Sequence, residues 1–265
     1  MNIFQAIILG IVQALTEFLP ISSSAHLQII PSFLGWNNIP ESYDIALHFG
    51  TLLAIGIFFF KDWIELIIAG FSNIKGKKSK KGNFFWYIVL ATIPGGIIGF
   101  ILDQKFENLR NFPIVIALAL IVMGIILYIA DKKCKSDTNY ENLSLKQTFI
   151  IGISQALAFI PGVSRSGVTT TTGRILGVDK ESAARYSFML AAPITLAATM
   201  FKLKDFSLAI AENGALVFWI GVFSSFALGI FVIKFLLNYL KKGSFKVFAI
   251  YRIVLGLALI AFTLM

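Results

Sequence analysis

Two short polar stretches interrupt an otherwise apolar chain, and both carry side chains that can handle phosphate. The first is QALTEFLPISSSAH, residues 13–26, and the second is PGVSRSG, residues 161–167. The first offers a carboxylate, hydroxyls and an imidazole, and the second offers an arginine between two serines. A guanidinium is a permanently charged fork that suits phosphate oxygens. Since phosphoryl transfer depends mainly on positioning and charge neutralisation, the two stretches together predict such a site.

The first stretch contains the candidate nucleophile. Gln13 and Glu17 are four residues apart and therefore share one helix face. In a membrane, an unpaired Glu17 would cost about 2.5–3.5 kcal/mol, and the pair could instead hold a divalent cation. Either Ser23 or His26 could attack phosphorus; we favour Ser23, with His26 as its acid/base partner.

The serines that follow each proline are candidate phosphate ligands. They supply hydroxyls, and they lie where a new helix would begin, whose free N–H groups bind anions. The expected phosphate-binding residues are Ser22, Ser24, Ser164, Arg165 and Ser166. The threonines at 169–172 are expected to donate to helix carbonyls instead.

The composition predicts the elements that position these residues. Of 265 residues, 57% are hydrophobic and 14% are charged, whereas soluble domains have about 25% charged residues. A membrane-spanning helix needs about 20 apolar residues. Six stretches are long enough or nearly so: 44–60, 84–102, 113–130, 186–201, 214–233 and 247–264. No alternating barrel pattern is present. We therefore predict an all-α polytopic protein with a single integral membrane domain over 1–265.

The chain also contains an internal repeat. GIVQALTEFLPISSSAH begins at Gly10, and GISQALAFIPGVSRSG begins at Gly152. Each copy precedes three predicted spans, so the halves are 1–135 and 145–265.

Lysines in the loops predict the orientation of these halves, because cytoplasmic loops are rich in Lys and Arg. The lysine-rich loops hold Lys61, Lys75, Lys77, Lys78, Lys80 and Lys81; Lys132, Lys133, Lys135 and Lys146; and Lys241, Lys242 and Lys246. The loops 103–111 and 202–213 hold only Lys105 and Arg110, and Lys202 and Lys204. Both termini are then outside, and the halves form an inverted-topology repeat of six transmembrane helices. If the two motif segments crossed the membrane, lysine-rich and lysine-poor loops would no longer lie on opposite sides. We therefore predict that each motif forms a re-entrant helical hairpin and that the two hairpins meet at the site.

The same loops account for the net charge of +9, so no nucleic-acid partner is predicted. The single cysteine, Cys134, excludes an internal disulfide and fits no metal-ligand spacing. The start of the chain lacks the positive n-region of a cleaved signal peptide, and we expect it to be part of the mature protein.

Several of these residues also have structural interpretations. Glu17 and Arg165 could form a buried salt bridge, and the serines could be helix caps only. His48, a lone histidine on an apolar helix, is interpreted as structural. Arg185 and Arg252 lie near predicted cytoplasmic ends of spans, where snorkelling explains them.

The two motifs resemble the signature regions of the undecaprenyl-diphosphate phosphatase family of bacteria, of the bacitracin-resistance type. LHFGTLLAI, ATIPGGIIGF and FAIYR also resemble the family pattern in the same order. The resemblance implies a plasma-membrane enzyme that removes the terminal phosphate of undecaprenyl diphosphate and regenerates the carrier lipid for peptidoglycan. It also implies a site open to the outer face and a divalent cation, Mg²⁺ or Ca²⁺.

By this resemblance, catalysis falls on Glu17, Ser23, His26 and Arg165. The family's serine run falls on Ser22, Ser23 and Ser24, and its Ser-Arg-Ser on Ser164, Arg165 and Ser166. The first acidic position is a glutamine here, Gln13, which leaves Glu17 as the main anionic ligand of a cation. Ala25 replaces an expected glycine. Partners are a polyprenyl diphosphate and the bilayer, and a homodimer is left open.

A transporter or lipid flippase is the competing interpretation, because inverted repeats with broken helices are typical of secondary transporters. Transport, however, requires no serine and histidine aimed at an arginine. A purely structural membrane subunit would not explain why polar residues concentrate at two equivalent breaks.

Overall fold

The computed structural model describes residues 1–36, 39–107, 109, 112–134 and 137–264; for residues 100 and 102–107 it describes the backbone alone. Arg110 and Lys135 of the loop analysis, and the Lys105 side chain, lie outside the described part. The helices are α1 (Ile3–Phe18), α2 (Ser23–Phe33), α3 (Asp44–Phe58), α4 (Phe60–Ile74), α5 (Lys80–Glu107), α6 (Pro113–Lys133), α7 (Leu145–Ser154), α8 (Arg165–Ile175), α9 (Lys180–Phe201), α10 (Leu203–Asn213), α11 (Ala215–Leu240) and α12 (Lys246–Leu264). Within the described residues the only β pairing is an isolated bridge between Thr138 and Val178.

Several helices fit a membrane protein, as predicted. By length and composition, α6, α11, α12 and the Lys80–Gly99 part of α5 can each cross a bilayer. Helices α9 and α10 pass the same test together, but they are bent by 69° at the break between them. The prediction of an all-helical multi-pass membrane protein is confirmed.

Two predicted loops are helical instead. The predicted span 44–60 ends at Phe58, and most of 61–83 is occupied by α4 and the start of α5. Similarly, α10 occupies most of 202–213. Both short helices place few residues in the core: Leu66 and Gly70 are buried in α4, and Ala209 is buried in α10. A helix with one narrow buried side and charged residues elsewhere does not stand out in a search for continuous apolar runs.

Each polar motif forms a helical hairpin, here α1 with α2 and α7 with α8. The arms of each hairpin contact each other. Both hairpins begin with a capping box, Asn2 with Gln5 and Ser144 with Gln147. In the second hairpin, Thr169 and Thr171 donate to the carbonyls of Arg165 and Gly167, which confirms their expected bonding within the helix.

The packing partners of the two halves correspond. Helix α1 packs against α11, and α7 packs against α5. Likewise α3 packs against α11 and α9 against α5, while α6 and α12 pack against each other. Each hairpin is therefore held by a long helix from the opposite half.

Close contact between α3 and α11 depends on a glycine. A Cβ added at Gly50 would lie 2.4 Å from the Val222 carbonyl oxygen and 2.7 Å from the Ser225 Cβ, whereas one added at Gly56 on the same helix would meet nothing within 4 Å. We expect Gly50→Ala to force the helices apart and to destabilise the protein by about 2 kcal/mol. Gly56→Ala should cause no loss, because alanine favours a helix. Thermal unfolding of both variants in detergent measures this difference, and equal midpoints would contradict it.

Candidate active site

Both hairpins turn through a strained serine. Ser22 and Ser164 are the N-cap residues of α2 and α8, with φ of 77° and 72°. The Ser22 hydroxyl accepts the Ala25 N–H, and the Ser164 hydroxyl accepts the Gly167 N–H at 3.1 Å. Among the described residues, these are the only non-glycine residues with positive φ. Such strain clusters at functional sites.

Glu17 is the centre of the site. Its Oε1 accepts from Arg165 Nη2 across the two hairpins, and its Oε2 accepts the Ser23 hydroxyl at 2.7 Å. Gln13 Nε2 lies 3.3 Å from the same Oε2. Because Ser23 and Arg165 are the first residues of α2 and α8, equivalent positions of the two hairpins supply a hydroxyl and a guanidinium to one carboxylate.

Helix α9 orients the guanidinium. Arg165 Nη1 donates to Thr195 Oγ1 at 2.6 Å and to the Ala191 carbonyl at 3.2 Å. The arginine side chain keeps 20% of its surface exposed. A partly exposed guanidinium with one edge fixed can still bind an anion with its remaining N–H groups.

His26 lies apart from the Glu17 cluster. Its Nδ1 is 2.7 Å from the Ser22 carbonyl oxygen and its Nε2 is 2.7 Å from the Tyr251 hydroxyl. Since a carbonyl only accepts, Nδ1 carries the proton and Nε2 accepts from the tyrosine. The structure brings Glu17, Ser23 and Arg165 together, but it does not place His26 against Ser23.

His48, interpreted from sequence as structural, faces this site. Its Nε2 is 3.8 Å from Glu17 Oε2, and its Nδ1 is 2.8 Å from the Asp44 carbonyl oxygen. It also lines the same cavity as Glu17. One sequence signal pointed there: within the predicted span 44–60, His48 and the terminal Asp44 are the only titratable residues.

Arg252 ties the two hairpin breaks together, and the snorkelling interpretation is wrong. Its side chain is fully buried, with 0% exposure. It donates at 2.9 Å to the carbonyls of Pro20, Gly162 and Val163, and at 3.3 Å to that of Leu120. The carbonyls of Pro20, Gly162 and Val163 lie at the breaks outside any helix, so they provide a site for a guanidinium inside the fold.

The site opens into a cavity of about 510 Å³. One side is polar and includes Glu17, Ser23 and His48; Ser164, Arg165 and Ser166 complete the polar lining at the second hairpin. Its rim is formed by the start of α3 and by the break between α9 and α10, including Lys202. The N-termini of α2 and α8 both begin in this lining, and their first N–H groups have no acceptor within the helix. The cavity is therefore suited to a ligand with several anionic oxygens.

These features define a helical multi-pass membrane protein with a candidate anion-binding site between two helical hairpins. The family model described as bacitracin resistance protein BacA matches residues 6–258, and the chain belongs to that family. It is 47% identical over 260 residues to the undecaprenyl-diphosphatase of Pelotomaculum thermopropionicum, with 98% of this chain and 96% of that protein covered. It is 45% identical over 267 residues to the undecaprenyl-diphosphatase of Caldicellulosiruptor bescii, with 100% and 99% covered.

The Arg252 bonds lead to a stability prediction. Arg252→Met would leave the break carbonyls of both hairpins buried without a donor, and we expect a loss of about 3 kcal/mol or more. Arg185→Met is the matched control, because Arg185 keeps 23% of its side chain exposed and pairs with Glu181 of its own helix at 3.5 Å. Unfolding midpoints in detergent compare the two variants. If Arg252→Met were as stable as Arg185→Met, Arg252 would not hold the breaks.

Proposed function

We propose that this protein hydrolyses undecaprenyl diphosphate to undecaprenyl phosphate and inorganic phosphate. It would thereby recycle the lipid carrier for cell-wall synthesis and confer resistance to bacitracin. The observation that carries the proposal is the convergence of Ser23, Arg165 and two helix N-termini on Glu17 in one cavity. The undecaprenyl-diphosphatases that resemble this chain along nearly its whole length support it.

The diphosphate is held by groups from both hairpins. Arg165 and the hydroxyls of Ser164 and Ser166 face the cavity from the second hairpin, and Ser22 and Ser24 face it from the first. The paired helix N-termini add backbone N–H donors at the same place. Before the substrate binds, the Arg165 guanidinium is paired with the Glu17 carboxylate. When the diphosphate binds, its oxygens compete with that carboxylate for the guanidinium. This exchange keeps a buried charge paired at each stage.

Ser23 is the favoured nucleophile of the two candidates. Its hydroxyl donates to Glu17 and lines the cavity, whereas both ring nitrogens of His26 have other partners. The Ser23 oxygen attacks the terminal phosphorus while Glu17 accepts its proton, and the bond to the bridging oxygen breaks. The lipid monophosphate leaves with that electron pair. Water then attacks the phosphoserine, Ser23 leaves and regains a proton, and inorganic phosphate is released.

A divalent cation, Mg²⁺ or Ca²⁺, is the proposed cofactor. The described residues contain no group of three or more His, Cys, Asp or Glu that could hold a metal. Mg²⁺, however, is often bound by one or two carboxylates together with substrate phosphates. The Gln13 Oε1 is buried without a hydrogen-bond partner, so Gln13 and Glu17 fit as its two protein ligands. When bound, the cation would neutralise charge on the diphosphate oxygens.

The proposed orientation places the site on the outer side of a bacterial plasma membrane. The cavity rim consists of residues from 41–44 and 199–205, which the loop charges assign to the side opposite the lysine-rich loops. Both termini would then lie outside. The matching capping boxes, strained serines and packing partners of the halves support an inverted-topology repeat with two re-entrant hairpins and six transmembrane helices.

Phosphate release from undecaprenyl diphosphate by the full-length protein tests the proposed chemistry. We expect Glu17→Gln, Ser23→Ala and Arg165→Met each to lower kcat by about 100-fold or more, because each removes a group placed at the reacting phosphate. Ser32→Ala, at an exposed position of α2, is the control and should keep wild-type activity.

Two outcomes would change the proposal. A wild-type protein that releases no phosphate with Mg²⁺ or Ca²⁺ present would exclude the phosphatase and favour the transporter or flippase. If Ser23→Ala kept full activity while His26→Ala had none, His26 would be the nucleophile.

The cation ligands can be tested separately. Gln13→Glu would add a second carboxylate beside Glu17, and we expect half-maximal activity at about tenfold lower Mg²⁺ concentration. Gln155→Glu is the matched control, since Gln155 is the equivalent residue of the second repeat and its Oε1 is likewise buried without a partner. It should leave the Mg²⁺ requirement at the wild-type value. Equal shifts in the two variants would exclude Gln13 as a specific ligand.

A further inference from the structure

The two copies of the repeat differ by one residue just before the proline. The first copy reads QALTEFLP and the second reads QALAFIP. Where the first has Thr16 and Glu17, the second has only Ala158. The missing residue removes the one carboxylate of the motif and puts a methyl group in its place.

The structure shows how the shorter copy still reaches its proline. In the first hairpin, 13–18 is α-helical, but in the second, 155–159 is a 3₁₀ helix. Six α-helical residues rise about 9 Å at 1.5 Å each, and five 3₁₀ residues rise about 10 Å at 2.0 Å each. Six α-helical residues at 100° each and five 3₁₀ residues at 120° each both turn the chain by about 600°, so the tighter helix compensates for the deletion in length and in rotation.

The residues that face the cavity nevertheless differ between the two hairpins. In the first hairpin, Glu17 lines the cavity while Phe18 is 2% exposed and packs edge-on against Phe188. In the second hairpin, Ala158 and Phe159 both line the cavity. The first hairpin thus lines the cavity with a carboxylate, and the second lines it with a methyl group and an aromatic ring beside the amide of Gln155.

The apolar wall extends onto neighbouring helices. Ile194 and Ala198 of α9 line the same cavity next to Phe159, and Ala198 is exposed. A Cβ added at Gly99 of α5 would lie 2.0 Å from Phe159 Cζ, so the ring rests directly on the helix backbone. A Cβ added at Gly95 of α5 would lie 3.3 Å from Ile194 Cδ1 and equally close to the Gln155 side chain. The wall is therefore a surface made by three elements of the fold.

We infer that this apolar wall, formed by Ala158, Phe159, Ile194 and Ala198, binds the first isoprene units of the polyprenyl diphosphate. The inference rests on the proposed function and assigns a place to the chain that leaves the phosphate site. Arg165 is bonded to Ala191 and Thr195 of α9, so a diphosphate bound there has Ile194 and Ala198 of the same helix beside it. An apolar chain attached to that diphosphate gains free energy by burial against this surface. The one-residue deletion thus separates the site into a phosphate side and a lipid side.

Paired asparagine variants of the full-length protein in detergent test the inference. The measured quantity is the KM for farnesyl diphosphate divided by the KM for methyl diphosphate, which lacks the isoprene chain. Ala158→Asn and Ala198→Asn should each raise this ratio about tenfold, the usual effect of losing a small apolar contact. The matched controls are Ala156→Asn and Ala197→Asn, next to each site but outside the cavity lining, and they should keep the wild-type ratio.

The outcomes separate this inference from the proposed function. If the wild type cleaves the diphosphates but the ratio stays constant in Ala158→Asn and Ala198→Asn, the apolar wall is not the chain site and the phosphatase stands. If the wild type releases no phosphate from either compound or from undecaprenyl diphosphate, the proposed function itself is wrong.

A measurement on the wild-type protein avoids any effect of the variants on folding. A farnesyl diphosphate analogue with a photoreactive diazirine on its first isoprene unit is bound, irradiated and mapped by mass spectrometry. Labelling at 158–159 and 194–198 is expected. Labelling confined to the α2 or α3 side of the cavity would overturn the inference.

Discussion

The whole site depends on one constraint: backbone carbonyls at a helix break inside a membrane protein need donors. Each hairpin satisfies some of them with its own N–H groups, such as Ile21 to Leu19 and Val163 to Ile160; others depend on a side chain from outside the hairpins. Arg252, from α12, donates to Pro20 of one break and to Gly162 and Val163 of the other. Ser166 adds a link from the second hairpin to the Leu19 carbonyl of the first. Because unsatisfied carbonyls in an apolar surrounding are costly, this buried guanidinium makes two broken helices compatible with the fold and fixes their distance.

The two hairpins are similar in structure, and the site depends on the positions at which their side chains differ. The two hairpins share a strained serine cap and a polar residue at the first helical position. That residue is a serine in one and an arginine in the other, and both bond Glu17. The single-residue difference before each proline places the carboxylate in one half only. Two similar hairpins with unequal side chains thus bring a hydroxyl, a guanidinium and a carboxylate together in one cavity.

The frame also explains why a transporter-like architecture can support a reaction. Each hairpin is packed against a long helix of the other half, and α9 holds Arg165 through Thr195 and Ala191. Groups fixed by several elements are positioned closely enough for phosphoryl transfer, which relies on orientation and charge.

The sequence by itself determined the membrane class, the repeat, the two hairpins and the residues Glu17, Ser23 and Arg165, because these depend on local composition and spacing. It also predicts phosphate ligands in both motifs. It could not assign Arg252, His48 or the partner of His26, since each depends on residues far away along the chain. Helices α4 and α10 were missed because their buried sides are narrow. Only the tertiary structure decides which polar atoms meet: a carbonyl freed at one break is satisfied by a side chain about 230 residues later, and no local pattern encodes that distance.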